Sequence, residues 1–94
     1  MPIRLTGERW QRVTSRHPEM ASEREKVLET VAAPDIIQVG DFGELLAVRR
    51  WPSTALTSKY LVVAYRENDA TDGFIMAAYL TRRPSKARAA SWTK

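Results

Sequence analysis

Basic, phenolic and hydroxyl side chains cluster at the ends of the predicted strands. In the last of these strands, Tyr79, Thr81 and Arg83 alternate onto one face, whereas Arg82 points to the other. Such side chains suffice for a metal-independent reaction on RNA, because the 2′-hydroxyl supplies the nucleophile and the protein has only to hold the phosphate, stabilise its charge and move protons. The alternative is that they are solvated strand ends with no role in chemistry.

Cations also lie at the ends of the second and third predicted strands. Arg49 and Arg50 stand at the end of the second predicted strand, and Lys59 and Tyr60 begin the third. In an antiparallel meander the second and fourth strands run the same way, so we expect these residues at the same edge as residues 81–83. A basic and aromatic surface of this kind is typical of proteins that contact RNA.

The single histidine, His17, lies between two predicted helices. It could act as a general base, or its place could simply reflect the preference for a cation at the C-terminal end of a helix dipole. Arg24 falls on the apolar stripe of the second helix and therefore needs an anion. That anion could be a substrate phosphate or a carboxylate such as Asp35 or Glu44.

A shared site requires the last strand to face these helical residues. Tyr79 and Thr81 follow Ile75 and Ala77 at even spacing, so strict alternation predicts all four on the helix-covered face or at its edge. A phosphoryl-transfer site needs its proton donor, proton acceptor and charge stabiliser within hydrogen-bond reach of one phosphate. We therefore expect His17, Tyr79 and Thr81 to face one cleft that they share with Arg24.

Composition excludes several other kinds of site. The chain has no cysteine, which rules out a disulfide scaffold and a thiolate metal site and is typical of a reducing compartment. Asp69 and Asp72 do not have the spacing of a calcium loop. The four glycines lie at a helix cap and at predicted turns rather than in a phosphate-binding loop. We expect neither a metal nor a cofactor.

Charge is distributed unevenly along the chain. There are 15 Lys and Arg residues against 11 Asp and Glu, and residues 81–94 hold five of the cations and no acid. This excess indicates an anionic partner, most often nucleic acid, unless the segment serves only solubility. No segment approaches the roughly 18 apolar residues of a membrane span, so we expect no membrane contact and a cytoplasmic location.

The elements that would position these side chains follow from periodicity. Thr6 predicts the N-cap of a first helix that Pro18 ends. Ser22 and Glu25 predict a capping box at the start of a second helix. From residue 35 onward, short apolar runs bounded by turn residues predict strands at about 36–39, 44–51, 60–66 and 74–81.

The predicted fold class is α+β, with two N-terminal helices packed on one face of a four-stranded antiparallel sheet. The connections between strands are too short for a crossover helix, which favours a meander. The length of 94 residues predicts a single domain over residues 1–83. Residues 84–94 have few large apolar side chains and predict a basic, partly disordered tail.

Several short runs of the sequence resemble a known group of proteins. They are RHPEM at 16–20, VLETV at 27–31, PDII at 34–37, YLVV at 60–63 and GFIMAAYLT at 73–81. These runs resemble a family of small phage and bacterial proteins that are grouped with the barnase–EndoU–colicin–RelE-like nucleases, over about residues 8–84. The resemblance implies two helices on one face of a four-stranded antiparallel sheet, with RNA cleaved on the open face.

The resemblance also implies roles for individual residues. His17 and Arg24 match polar positions in the helical half of the family, and Tyr79 and Thr81 match those of its last strand. Relatives often have a further histidine in the first helix where this chain has Arg12. A candidate acid–base group is therefore missing, although Arg12 could still hold phosphate.

The leading hypothesis is a metal-independent endoribonuclease-like domain acting on RNA, of a toxin or phage-derived effector type. His17 or Tyr79 would transfer protons, and Thr81 would orient the scissile group. The phosphate or RNA contacts would come from Arg12, Arg24, Arg49, Lys59, Arg82 and Arg83. The alternatives are a non-catalytic module that binds nucleic acid or protein, and a toxin-like domain neutralised by a cognate antitoxin or immunity protein. The oligomeric state is left open.

Overall fold

The computed structural model describes residues 3–52, 60–69, 72–84, 86 and 88–94, with the backbone alone for residues 68 and 69. In this part of the chain, the helices lie against one face of a six-stranded sheet. The helical elements are α1 (Gly7–Arg16), a 3₁₀ helix (Pro18–Ser22) and α2 (Arg24–Ala32). The strands are β1 (Ile3–Arg4), β2 (Ile36–Val39), β3 (Leu45–Arg50), β4 (Tyr60–Asp69), β5 (Asp72–Thr81) and β6 (Ala90–Thr93).

The strands are ordered β1-β5-β4-β3-β2-β6 across the sheet. β1 runs parallel to β5, and every other neighbouring pair is antiparallel. The predicted α+β class is confirmed. The prediction of a four-stranded antiparallel sheet is wrong, because β1 and β6 extend the predicted meander at its two edges.

β1 can join the edge beside β5 because Gly73 leaves room for it. Ile3 is in register with Gly73, and its Cδ1 atom lies 2.6 Å from the position that a Cβ atom of residue 73 would take. A side chain at residue 73 would displace Ile3. The sequence therefore gives no local signal for this two-residue strand, whose place depends on a distant glycine.

β6 lies within the segment that was predicted to be partly disordered. All of its residues are exposed, and it pairs with β2. Backbone hydrogen bonds hold the segment at both ends: Val39 N–H donates to Ala89 O, and Lys94 N–H donates to Asp35 O, both at 2.9 Å. The segment predicted as a partly disordered tail therefore contains a strand at residues 90–93, which is placed by backbone pairing rather than by apolar burial.

The first helix begins and ends where its sequence predicts. Thr6 Oγ1 accepts a hydrogen bond from Arg9 N–H at 3.1 Å, which satisfies one of the free donors of the first turn. The helix ends at His17, whose N–H donates to Val13 O at 2.8 Å. Its position immediately before a proline explains this end.

The segment between the helices differs from its prediction. Ser22 belongs to the 3₁₀ helix and its hydroxyl donates to Glu23 Oε1 at 3.4 Å, so the capping box expected from Ser22 and Glu25 does not form. The 3₁₀ helix carries Met20 into the core, where that side chain is fully buried. This compact turn fixes the exit from α1, and with it the position of His17.

The helix-covered face of the sheet holds the main core. Val13 and Val27 are buried in one cluster with Leu61 and Val63 of β4. The cluster is flanked by the partly buried side chains of Trp10, Leu28 and Val31. Full burial of one such side chain is worth about 1.5–3 kcal/mol, so this layer contributes most of the stability.

The opposite, open face carries a smaller apolar cluster. Leu46, Val48, Val62 and Ala64 are buried there, and Tyr79 packs against them while remaining partly exposed. β4 is therefore buried on both faces, as predicted for a central strand. The smaller cluster forms the apolar support of the candidate site.

The turn between β2 and β3 lies at the predicted residues 40–43. Gly43 has a φ of +83°, in the left-handed region that glycine adopts without steric cost. Gly40 N–H donates to Glu44 O at 2.8 Å, which closes the turn. Asp41 lies in this turn and is the carboxylate to which the C-terminal segment is bound.

Candidate functional site

A bulge in β5 turns Tyr79 toward the open face. Met76 is an extra residue opposite the step between residues 64 and 65 of β4, so the alternation of side chains changes phase there. Ile75, before the bulge, belongs to the helix-covered core, whereas Tyr79 belongs to the open-face cluster. The prediction that Tyr79 and Thr81 share the face of Ile75 is therefore wrong. They lie on the open face instead.

Tyr79 and Thr81 line a cleft on that face. The cleft has a volume of about 260 Å³ and is lined by Gln38, Leu46, Val62, Tyr79, Thr81, Arg83, Pro84 and Arg88. Four strands contribute to it, and residues beyond β5 complete it, because the C-terminal segment passes over this face on its way to β6. Tyr79, Thr81 and Arg83, which the sequence places on one face, are brought together here.

The hydroxyl of Thr81 is already engaged as a donor. Its Oγ1 donates to the backbone oxygen of Arg83 at 3.1 Å, which holds the turn where the chain leaves β5. The oxygen of Thr81 keeps its capacity to accept a hydrogen bond. Arg82 and Arg83 are both exposed, and of these two only Arg83 lines the cleft.

His17 lies beside Tyr79 at the edge of the sheet. The two ring centroids are 6.1 Å apart and the ring planes are inclined by 36°. The contact is made at the edge because β1 pairs only with Gly73 and Phe74, which leaves the rest of β5 next to the end of α1. The expected proximity of His17 to Tyr79 is therefore present. The expected single cleft is not, because neither His17 nor Arg24 is among the residues that line the cleft with Tyr79 and Thr81.

A carboxylate that the sequence analysis missed lies against the imidazole. His17 Nδ1 is 3.4 Å from Glu19 Oε1, and the Glu19 side chain is only 21% exposed. The nearby carboxylate favours a proton on Nδ1, which would leave Nε2 as the nitrogen able to accept a proton. The available signal is the short spacing His-Pro-Glu, since a 3₁₀ turn that starts at Pro18 folds Glu19 back toward His17.

Arg88 is a second residue that the sequence analysis missed. Its guanidinium donates to Asp41 through Nη1 at 2.9 Å and Nη2 at 3.3 Å. The hydrogen bond to Asp41 raises the pKa of Arg88 above its ordinary value, and charge interactions with Asp41, Tyr79 and Glu44 add to this increase while desolvation opposes it. Arg88 and Tyr79 line the same cleft, so a cation held by Asp41 shares the cleft with the phenol. Residue 88 stands in the segment predicted as a tail, so no local pattern indicates this position.

Arg49 does not belong to this site. It is in register with Leu61 and so lies on the helix-covered face, with its guanidinium carbon 4.4 Å from the ring centroid of Trp51. Its Nη1 atom is 3.7 Å from Glu29 Oε1 and donates to Ala33 O at 3.4 Å. Arg49 lies near the predicted end of the strand. Its predicted role in phosphate binding is not supported, because its side chain is on the face opposite the cleft.

The neighbouring residue, Arg50, takes the place that was expected for Arg49. It is in register with Tyr60, which is in turn in register with Thr81, so the three share the open face. The side chain of Arg50 is exposed, while its backbone N–H donates to Asp35 Oδ2 at 2.9 Å. Arg50, rather than Arg49, is therefore the arginine of β3 that lies on the same face of the sheet as the cleft.

The remaining predicted cations are dispersed. Arg12 is exposed on α1, where its Nη2 lies 3.5 Å from Glu8 Oε1. Arg24 is exposed at the first residue of α2, and among the described residues no hydrogen bond or ion pair joins it to His17 or Tyr79. Lys59 lies outside the described residues.

Two searches of the described residues gave negative results. No group of three or more His, Cys, Asp and Glu side chains there has an arrangement that could hold a metal ion. No helix in the same part of the chain combines the length and the apolar character needed to cross a bilayer.

Comparison of the chain with protein-family models, curated proteins and solved structures returned no significant match. The resemblance to the barnase–EndoU–colicin–RelE-like nucleases therefore stays a prediction. The function has to be argued from the geometry around His17 and Tyr79.

Proposed function

We propose that this protein is a metal-independent endoribonuclease-like domain that cleaves RNA on the open face, beside the contact between His17 and Tyr79. The observation that carries the proposal is that contact: ring centroids 6.1 Å apart, a carboxylate on Nδ1 of the imidazole, and a basic cleft next to the phenol. A base, an acid and cations in one place are the requirements of RNA cleavage without a metal.

In the proposed reaction, His17 takes the proton of the 2′-hydroxyl on Nε2 while the 2′-oxygen attacks the adjacent phosphorus. The bond from phosphorus to the 5′-oxygen breaks, and the leaving oxygen takes the phenolic proton of Tyr79. Arg83 and Arg88 stabilise the charge that builds up on the phosphate. The products are a 2′,3′-cyclic phosphate and a 5′-hydroxyl, and water returns the proton from His17 to Tyr79.

A second candidate is a non-catalytic module that binds nucleic acid, or an acidic protein such as an antitoxin or immunity protein, through the same cleft. Two contacts favour it. The Thr81 hydroxyl is donated to a backbone carbonyl, and both terminal nitrogens of Arg88 are used by Asp41. A cleft arranged in this way would bind a phosphate group without cleaving the ester bond next to it.

The decisive experiment is incubation of the purified protein with end-labelled RNA in EDTA. We expect fragments with 2′,3′-cyclic phosphate ends from RNA and none from DNA of the same sequence, since DNA lacks the nucleophile. Replacing either proton-transfer group, by His17→Asn or Tyr79→Phe, should lower the rate by about 10²–10⁴-fold.

Tyr65→Phe is the matched control for Tyr79→Phe. It removes the same hydroxyl from a tyrosine that lies in the helix-covered core, so it should leave the cleavage rate unchanged. Salt-sensitive retention of RNA without any cleavage would contradict the nuclease proposal and support the binding module. Equal losses in the two tyrosine variants would show that the effect on rate is structural.

A further inference from the structure

Three arginines of α1 form a basic surface that continues from His17 along the outside of the molecule. Arg9, Arg12 and Arg16 are spaced three and four residues apart, so they lie on one side of the helix. We call this set the α1 arginine stripe. At 1.5 Å per residue it spans about 10 Å, a length over which a stacked nucleic-acid strand carries about three phosphates.

The stripe borders a groove that connects it to the proposed reaction site. A groove of about 140 Å³ is lined by Arg9, Arg12, Val13, Arg16, His17, Met76 and Ala77. The histidine of this groove is the one whose ring contacts Tyr79. The apolar side chains of Met76 and Ala77 come from the bulge region of β5 and provide a surface for a base. One strand can therefore pass from the cleft to the stripe.

The charges on the stripe are accessible to a ligand. Arg12 and Arg16 are exposed, and Arg9 is partly exposed. Arg12 has an ion pair with Glu8 at 3.5 Å, but the two side chains are 65% and 81% exposed. An exposed pair of this kind is worth little, so a phosphate can compete for the guanidinium. Guanidinium groups can bind phosphate through two parallel hydrogen bonds.

An acidic protein is a poorer fit for this surface. Protein interfaces have an apolar centre surrounded by polar residues. Among the described residues, the large hydrophobic side chains that remain exposed are Val39, Phe42 and Trp92, which lie in β2, in the β2–β3 turn and in β6. None of them is on α1, so the stripe offers charge without an apolar anchor.

We infer that the α1 arginine stripe binds the backbone of single-stranded RNA adjacent to the cleaved phosphate. The substrate is then an extended strand of several nucleotides, and contacts outside the cleft contribute much of its affinity. The inference rests on the proposed function for the position of the cleaved bond. The binding surface itself can be tested without any cleavage.

The test uses RNA that cannot react. A fluorescent single-stranded oligonucleotide of about 12 nucleotides with 2′-O-methyl groups throughout is titrated with the full chain at several salt concentrations. Each phosphate contact on a single strand contributes about 0.7 to the slope of log K against log salt, so the variant R9Q/R12Q/R16Q should lose about 2 from the slope and bind roughly ten- to a hundredfold more weakly at about 0.15 M salt.

Two control variants sharpen the result. K94Q removes a positive charge beside β6, at the sheet edge opposite α1, and should leave the slope unchanged. E8Q removes the carboxylate that competes for Arg12 and should tighten binding. The single variants R9Q, R12Q and R16Q should each lose about a third of the effect of the triple variant. Far-UV circular dichroism checks that α1 is retained.

The outcomes separate this inference from the proposed activity. If unmodified RNA is not cleaved but the slope still depends on the stripe, the nuclease proposal fails and the binding surface stands. If RNA is cleaved but R9Q/R12Q/R16Q has the slope of the unmodified protein, the stripe is not a binding surface. Binding of poly-glutamate as tight as that of the oligonucleotide also overturns the inference, because the surface would then recognise charge alone.

Discussion

Arg49 on the helix-covered face and Arg88 on the open face are both arginines bound to a carboxylate, yet their surroundings differ. Arg49 is stacked over Trp51, close to Glu29, and borders the main core. Arg88 is held by Asp41 at the rim of a cleft that also contains Tyr79. Arg49 is engaged by Trp51 and Glu29, whereas Arg88 borders a cleft into which a ligand could fit. A cation therefore becomes a candidate for ligand binding through the face it occupies.

The same contrast holds for the apolar layers beneath these residues. The helix-covered core combines side chains from both helices, the 3₁₀ helix and three strands. The open-face cluster is smaller, and Pro84 and Arg88, which follow β5 in the chain, line the cleft above it. Stability is therefore expected to depend on the first layer and function on the second. Four experiments test this division, from the largest expected effect to the smallest.

Leucine truncation on the two faces gives the largest contrast. Leu61 is fully buried under the helices, and Leu61→Ala should lower the free energy of unfolding by about 2–5 kcal/mol. Leu46, which lines the cleft, should cost less when changed to alanine, because its cluster is smaller and can relax into the cleft. Urea denaturation of both variants measures the difference. An equal or larger loss in Leu46→Ala would mean that the open face is a second full core.

Removal of residues 84–94 should change binding more than folding. It deletes Lys86, Arg88 and Lys94 together with β6, whose residues are all exposed. We expect a smaller loss of stability than in Leu61→Ala. The slope of log K for single-stranded RNA against log salt should fall by about 0.7 for each of Lys86 and Arg88 that contacts a phosphate. An unchanged affinity and slope would show that the segment serves only solubility.

A matched pair of arginine substitutions tests the comparison directly. Arg49→Gln should lower stability by about 0.5–2 kcal/mol through loss of the contact with Trp51, and should leave RNA binding unchanged. Arg88→Gln should weaken RNA binding and lower the salt slope by about 0.7. Thermal unfolding and oligonucleotide titration of both variants provide the readouts. If the two variants reversed these effects, the assignment of the two faces would have to be exchanged.

Much of the sheet could be predicted because β2 to β5 are apolar runs bounded by turn residues. Strands β1 and β6 could not, since one depends on the missing side chain of Gly73 and the other on backbone pairing of exposed residues. The polar ends of β4 and β5 were predicted as a loop, yet the ladder continues to Asp69 and resumes at Asp72. Local composition does not report pairing of this kind.

The candidate site was only partly predictable, because the sequence does not determine which side chains of β3 and β5 alternate onto the open face. In β3, residues 45–48 are apolar on both faces, so alternation does not tell whether Arg49 or Arg50 faces the open side. In β5, the bulge at Met76 reverses the alternation before Tyr79. The nearness of His17 to Tyr79 was expected from the chemistry, whereas Arg88 depends on the path of the chain after β5.

The smallest expected effect concerns the pH dependence of stability and involves Tyr65, on the helix-covered face. Burial raises the pKa of the Tyr65 phenol above its ordinary value of 10.0, and the charge of Glu67 raises it further. A raised pKa in the folded state means that the fold prefers the neutral phenol. Its contribution to stability is complete below the unfolded pKa and is lost as the pH rises through the folded value.

We therefore expect the free energy of unfolding to fall as the pH rises above about 10, and part of this fall to disappear in Tyr65→Phe. Other groups also titrate in this range, so the informative quantity is the difference between the protein and the variant at each pH. Trp51→Phe is a suitable control, because it removes a polar hydrogen bond to Thr30 from the same face without removing a titrating group. A difference between the protein and Tyr65→Phe that stays constant from about pH 9 to about pH 11 would show that the phenol ionises equally in both states. The surroundings of Tyr65 would then not disfavour its charged form. The two faces of the sheet would differ less in polarity than their packing indicates.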